Sequence, residues 1–295
     1  MINSSAGKWA RVAIGLLLGA ILLYLSMGGV ALAEVWRVVR YLRWSCLSIA
    51  LGLTLLSPLV RGWRWRELYG GKAPGFWLLV RAVASGQTLN FAVPFRSGEI
   101  ARVFMVRGRK LDTAGTIAFE KLLDAGFFAA LCLVLPFVWA VPKWLEGPRK
   151  WVIIMAALYV AVIFALVTVV PRVSRFSRIV RIPPLGKIPF LVATTLFLGV
   201  SGALVNDQVS RSLHIEMPFI AAVVLLVILQ AGIAVPSTPG KLGVFQYLAV
   251  LGLSLFDVDR ALAFGLVLHF LVFLPTALMA ALLVIFSKEK TVAGA

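Results

Sequence analysis

Cysteine, histidine and acidic side chains are all scarce here: the 295-residue chain has two cysteines, two histidines and 12 acidic residues. Cys46 and Cys132 both fall in apolar stretches, so they make neither a disulfide framework nor a metal site, and they say nothing about redox compartment. His269, within a long apolar run, reads as a packed core histidine rather than a ligand. No cluster has the make-up of a nucleophilic triad, a metal centre or a nucleotide-binding phosphate loop, so no metal, no cofactor and no catalytic residue is expected. Charged residues make up 14% of the chain against 61% hydrophobic, and mean hydropathy is +0.98. Several apolar runs approach the ~20 residues needed to cross a bilayer. The expected fold class is therefore all-α, a polytopic integral membrane bundle forming a single domain over residues 1–295.

Basic residues outnumber acidic ones 29 to 12, giving a net charge of +17. In a soluble protein this would suggest nucleic acid, but neither composition nor motif matches a nucleic-acid reader, and no nucleic-acid partner is expected. The basic residues lie in short loops between apolar runs, which points to membrane orientation and anionic headgroups instead.

In chain order, Val12–Val30 is too long for a signal-peptide core and reads as the first span. Ala33–Trp44 interleaves aromatic residues with Arg37, Arg40 and Arg43 as an interfacial helix does. Ser45–Val60 reads as a second span ending in an interfacial anchor, Arg61-Gly-Trp-Arg-Trp-Arg66. Arg61 to Lys110 holds ten Lys/Arg and two acids, a cytoplasmic signature. Within it, Phe76–Val93 is apolar but carries Arg81, Gln87 and Asn90, which suits a re-entrant or half helix. Further spans are expected at Thr116–Ala140, Trp151–Val170, Ile188–Val205, Pro218–Val235 and Ala261–Phe286, with Asn206–Met217 on the outer side. Val244–Phe256 is too short to cross unless extended or partly embedded. Both termini read as cytoplasmic, in a multi-pass protein of the cell (inner) membrane.

Two stretches break the apolar pattern. Asn90–Arg102, NFAVPFRSGEIAR, combines the helix breakers Pro94 and Gly98 with Arg96, Glu99 and Arg102. Ala234–Val244, AVPSTPGKLGV, repeats its outline 142 residues later, with Pro236 matching Pro94 and Gly240 matching Gly98. Non-helical backbone at membrane depth must be buried in protein or line a wet cavity, and paired interruptions are the mark of a transporter site. The two loops are thus expected to share one polar cavity, as an inverted or a parallel repeat. The alternative for the first loop is a cytoplasmic turn with solvated charges.

Arginine suits a phosphate because its planar fork binds two oxygens at once, and Glu99 would orient an arginine or pair with an amine. Glu120 and Asp124 lie four apart on one helix face and need cations or water, Arg96 and Arg102 being the expected partners. They could otherwise sit in the first turns of their helix, at its cytoplasmic end. In the second loop, Pro236, Pro239, Gly240 and Gly243 preclude a regular helix, and Lys241 would strengthen an anion site at the start of the following one. An ordinary helix-to-helix turn is the alternative.

Arg61-x-x-Arg64-Trp65, Asn90-x-x-x-Pro94-x-Arg96-x-Gly98-Glu99-x-x-Arg102, Glu120-Lys121-x-x-Asp124 and Pro236-x-x-Pro239-Gly240-x-x-Gly243, in this order, resemble the landmarks of the lysylphosphatidylglycerol synthase transmembrane-region family, often called flippase-like domain proteins. The resemblance spans nearly the whole chain. It implies a membrane domain that moves lipids or lipid-linked molecules between leaflets, with phospholipid or glycolipid as partner. It does not imply aminoacyl transfer, since synthase members carry a separate soluble catalytic domain and this chain is expected to end soon after its last span. Lys121 stands where the family commonly has arginine, Lys241 where glycine is common, and Gln246 near a position often acidic. A second reading is a membrane partner that presents a lipid to a lipid- or glycolipid-modifying enzyme; a third is a structural scaffold.

Overall fold

The computed structural model describes residues 40–69, 73–92, 97–106, 108, 110–139, 185–233, 244–258 and 260–286, with isolated positions between 150 and 161. The first span, most of the interfacial helix and the expected span at Trp151–Val170 lie outside the described residues or almost wholly so. What is described is all helical: α1 (Trp44–Tyr69), α2 (Phe76–Ala92), α3 (Ser97–Met105), α4 (Lys110–Val138), a 3-10 turn at Leu185–Lys187, α5 (Ile188–Ser212), α6 (Phe219–Ile233), α7 (Val244–Ser254) and α8 (Ala261–Ile285). Four of them, α1, α4, α5 and α8, are long and apolar enough to cross a membrane. The polytopic helical membrane class expected from composition is what the chain adopts.

Helices α1 and α5 run antiparallel side by side. At one end the Arg43 amide donates to the Ser212 carbonyl at 2.8 Å, and at the other Lys187 pairs with Glu67. Two apolar cores fill the bundle. One joins Trp65 and Leu68 of α1 to Leu79 and Val83 of α2, Val106, Ile117 of α4 and Leu191 of α5. The other joins Ala50 of α1 to Val205 and Val209 of α5, Leu225 of α6, Ala249 of α7 and Phe264 and Leu268 of α8.

Helices α2 and α3 form a hairpin with both open ends at the first of these cores, where Val103 and Val106 meet Leu79, Ala82 and Val83. Its closed end lies at the middle of α8, where Phe91 and Ala92 pack on Phe273 and Ala277. The chain therefore runs out along α2 and returns along α3, which makes Phe76–Ala92 one arm of a helical hairpin. The crossing depends on glycine. A Cβ on Gly98 would lie 1.8 Å from the Gly86 carbonyl oxygen, and one on Gly86 would lie 2.8 Å from the Arg102 Cγ and Cδ. The Gly98 amide, an orphan donor at the start of α3, is taken by the Asn90 Oδ1 at 2.9 Å.

Two sequence expectations are corrected. Arg61–Arg66 is not an interfacial anchor at the end of a span: α1 runs on to Tyr69, and Arg64 and Trp65 are fully buried. The helix expected to end at Val205 does not end there, because α5 continues to Ser212 with Asn206 and Asp207 buried. Each polar group finds a partner that hydropathy does not reveal: the Asn206 Nδ2 donates to the Ala222 carbonyl at 3.0 Å, and Asp207 accepts from the Arg211 Nε at 2.8 Å.

Gly98→Ala is expected to destabilise the protein by about 1–3 kcal/mol or more, the cost of overpacking. Gly52→Ala, on α1 with nothing within 4 Å of the added methyl, should leave it unchanged or slightly stabilised. Thermal unfolding of the two variants in one detergent checks both.

Candidate functional site

Between the two cores lies a cavity of about 300 Å³, lined from every helix α1 to α8. One wall is ionic: Arg61, Glu99, Arg102, Glu120, Lys121 and Asp124. The rest is apolar with scattered neutral polar groups, among them Phe127, Leu226, Phe245 and Val272 beside Gln87, Asn90, Asn206 and Gln230.

The ionic wall is built around Glu120. This carboxylate is fully buried on α4, ten residues and so about 15 Å along the helix from Lys110. The reading that places it in the first turns of its helix is therefore corrected. Its Oε2 accepts from the Arg102 Nη2 at 2.6 Å, and its Oε1 lies 3.4 Å from the Arg64 Nη2 and 3.8 Å from the Arg61 Nη1. Asp124, one turn on, accepts from the Arg61 Nη1 at 2.9 Å and pairs with the Arg64 Nη2 at 2.7 Å. The Arg64 Nη1 donates to the Thr195 hydroxyl of α5 at 2.9 Å. Trp65 lies under Arg102, whose guanidinium carbon is 4.1 Å from the ring centroid, and its indole N–H donates to the Thr116 hydroxyl at 2.9 Å. Lys121, about 100° around α4 from Glu120, reaches Glu99 of α3 at 3.2 Å.

On the wall Arg61, Arg102 and Lys121 thus face Glu99, Glu120 and Asp124, and the fully buried Arg64 behind them leaves the cluster, among the described residues, one positive charge in excess. Burial differs sharply along the row. The Arg64 and Arg102 side chains are 0% and 5% exposed, whereas Arg61 and Lys121 are 19% and 40% exposed. The inner arginines hold the bundle together; the outer two cations keep surface toward the cavity.

Of the residues singled out in the sequence, Arg61, Arg64, Asn90, Gly98, Glu99, Arg102, Glu120 and Asp124 are brought into this one region. The expected pairing of Glu120 with Arg102 is present; Asp124 instead takes both its arginines from α1. Pro94, Arg96, Pro236, Pro239, Gly240, Lys241 and Gly243 lie outside the described residues. Their flanks converge: Phe91, just before the first break, and Phe245, just after the second, pack edge-on against His269, with ring centroids 6.0 and 5.3 Å away. His269 is buried, as the apolar context of its sequence suggests. Among the described residues no group of three or more His, Cys, Asp or Glu side chains is placed to hold a metal. Sequence reasoning missed Gln87, Asn206 and Gln230 on the cavity wall, and Phe127, whose ring lies against the α5 backbone at Gly199. Single amides and phenylalanines in apolar helices carry no motif; only the fold gathers them.

Glu120→Gln leaves Arg64 and Arg102 short of charge compensation in a buried site, where breaking a paired charge costs about 3–5 kcal/mol. Asp124→Asn should cost less, because Asp124 is 18% exposed and water reaches it. The order of the two melting temperatures in detergent is the check.

Comparison with known proteins bears on what such a bundle is. A UPF0104 membrane protein of Methanocaldococcus jannaschii is 22% identical over 198 residues, covering 61% of this chain and 85% of its own. The family described as the lysylphosphatidylglycerol synthase TM region matches residues 12–280, which include all eight helices but the last few residues of α8. This multi-pass membrane protein therefore belongs to the lysylphosphatidylglycerol synthase TM region family.

Proposed function

We propose that the protein moves lipids or lipid-linked molecules with anionic headgroups between the two leaflets of the cell membrane, without enzymatic chemistry and without nucleotide hydrolysis of its own. The observation that carries this reading is the cavity itself. It sits inside the bundle, with three cations and three carboxylates on its ionic wall, a fourth cation, Arg64, buried behind that wall, and mostly apolar side chains over the rest of its lining. A charge at membrane depth costs at least ~2.5–3.5 kcal/mol unless compensated, so an anionic headgroup needs such a wall to leave the interface. Acyl chains need no such help and stay in lipid.

The helical hairpin supports the same reading. Its closed end places the residues flanking the first break at the middle of α8, beside those flanking the second. Half helices meeting at mid-membrane are how membrane transporters bring backbone amides to a substrate. In this proposal Arg61 and Lys121 receive the phosphate first, Arg96 and the amides around Gly240 share it further on, and both termini lie in the cytoplasm. Arg102 supports the site from behind, its Nη2 committed to Glu120 and its face to Trp65.

The test is leaflet-resolved transport of labelled lipids in proteoliposomes containing the purified protein. Arg61→Gln should slow anionic-lipid movement by about tenfold, the scale of one charge-assisted hydrogen bond, while Arg61→Lys keeps part of the rate because it keeps charge and loses the fork. Arg96→Gln should behave likewise. Equal rates for wild type and Arg61→Gln at equal incorporation remove Arg61 from the path. Absence of transport by the wild type for every lipid tried favours a membrane partner that presents lipid to a modifying enzyme.

A further inference from the structure

We propose that the Glu99–Lys121 pair is an exchangeable latch on the wall of the cavity: an anionic headgroup displaces Glu99 and takes Lys121 as its first anchor. This rests on the lipid reading above and specifies where the headgroup docks.

The ion pairs of the wall fall into two kinds. Glu120 and Asp124 each hold more than one guanidinium, and Arg64 is in turn tied to Thr195. No single bond there opens without exposing a buried charge. Glu99 and Lys121 share one contact of 3.2 Å between side chains 21% and 40% exposed, both on the cavity wall. The other carboxylate oxygen, Glu99 Oε2, is buried and has no hydrogen-bond partner among the described residues. This pair, with a single contact and the most exposed cation, is the weakest link of the wall.

Glu99 also has somewhere to remain once it lets go. It occupies the first turn of the nine-residue α3, where free amides and the helix dipole favour a carboxylate. The backbone there is pinned by the Gly98 amide bonded to Asn90 and by the contact with Gly86, so release is a side-chain rotation and the hairpin stays in place. Lys121 is suited to exchange, since an ammonium is a compact point charge with rotatable donors and no fixed fork to realign. Arg61, 19% exposed and with no partner for its Nε among the described residues, is the next cation inward.

A latch and a structural salt bridge differ in sign. Glu99→Gln and Lys121→Gln break the same pair, so a structural role gives both the same effect on binding. A latch gives opposite effects, because one variant removes the competitor and the other the anchor. The probe is phosphatidic acid labelled on an acyl chain, titrated against the full-length protein in nanodiscs of phosphatidylcholine, with glycerol phosphate as a soluble competitor and thermal unfolding as the fold control. Lys121→Gln should weaken phosphatidic acid binding about tenfold and Glu99→Gln should tighten it about threefold, the scale of a single charge-assisted hydrogen bond to the headgroup. Lys121→Arg should stay near wild type, and glycerol phosphate should not compete. Shifts of the same sign, or none, in folded variants overturn the latch while wild-type binding keeps the lipid reading. Glycerol phosphate that saturates a Lys121-dependent site on its own keeps the latch and overturns lipid as its occupant. A wild type with no saturable phosphatidic acid binding overturns the latch outright.

Discussion

Everything in this bundle depends on one carboxylate. Glu120 is fully buried, and its two oxygens meet Arg102 on one side and Arg64 on the other, with Arg61 near. Through those contacts α4 is bound to α1 and α3, and through Arg64 and Thr195 to α5. Buried ion pairs are poor sources of stability compared with apolar packing, because the desolvation of each ion offsets most of the attraction. Their strength is selectivity: any other arrangement of these helices leaves a bare charge in a dry interior. The cluster chooses the fold more than it stabilises it.

The hairpin shows how a polar loop reaches the interior of an apolar bundle. Two glycines let α2 and α3 approach until the chains touch, and Asn90 takes the amide that the helix start leaves open. The exposed face of α3 is apolar at Ile100 and Phe104, and Arg102 turns inward to Glu120. A nine-residue helix thus leaves one apolar face uncovered and turns the other to a carboxylate.

Class, the irregularity of the Phe76–Val93 segment and most of the ionic wall were legible in the sequence. Apolar runs announce spans, Gln87 and Asn90 flag an unusual one, and the four-residue spacing of Glu120 and Asp124 places both on one face. What misled was the Arg/Trp stretch from Arg61 to Arg66. Arginine beside tryptophan is the signature of an interface, and only the carboxylates of a helix much later in the chain let it lie inside. Asn206 and Asp207 likewise look like a span's end, because hydropathy sees the amide and carboxylate but not the Ala222 carbonyl and Arg211 that satisfy them. The partner of Lys121 was hidden for the same reason: helix geometry turns it away from Glu120, but only the fold brings Glu99 of α3 to meet it.

The seam between α1 and α4 has a mechanical consequence. Tyr69 donates to Thr113, Trp65 to Thr116, Arg64 pairs with Glu120 and Arg61 with Asp124, so the antiparallel helices are joined by four rungs, about one per turn, each of different chemistry. Sliding by a turn one way would set Trp65 against Glu120, and the other way Arg64 against Thr116, so all four rungs close together only in this register. The two helices are a splint. On the proposed lipid-moving reading, any change in the cavity's exposure falls to elements outside this rigid pair, such as α7, eleven residues long and packed on Leu225 of α6 and Gly265 of α8.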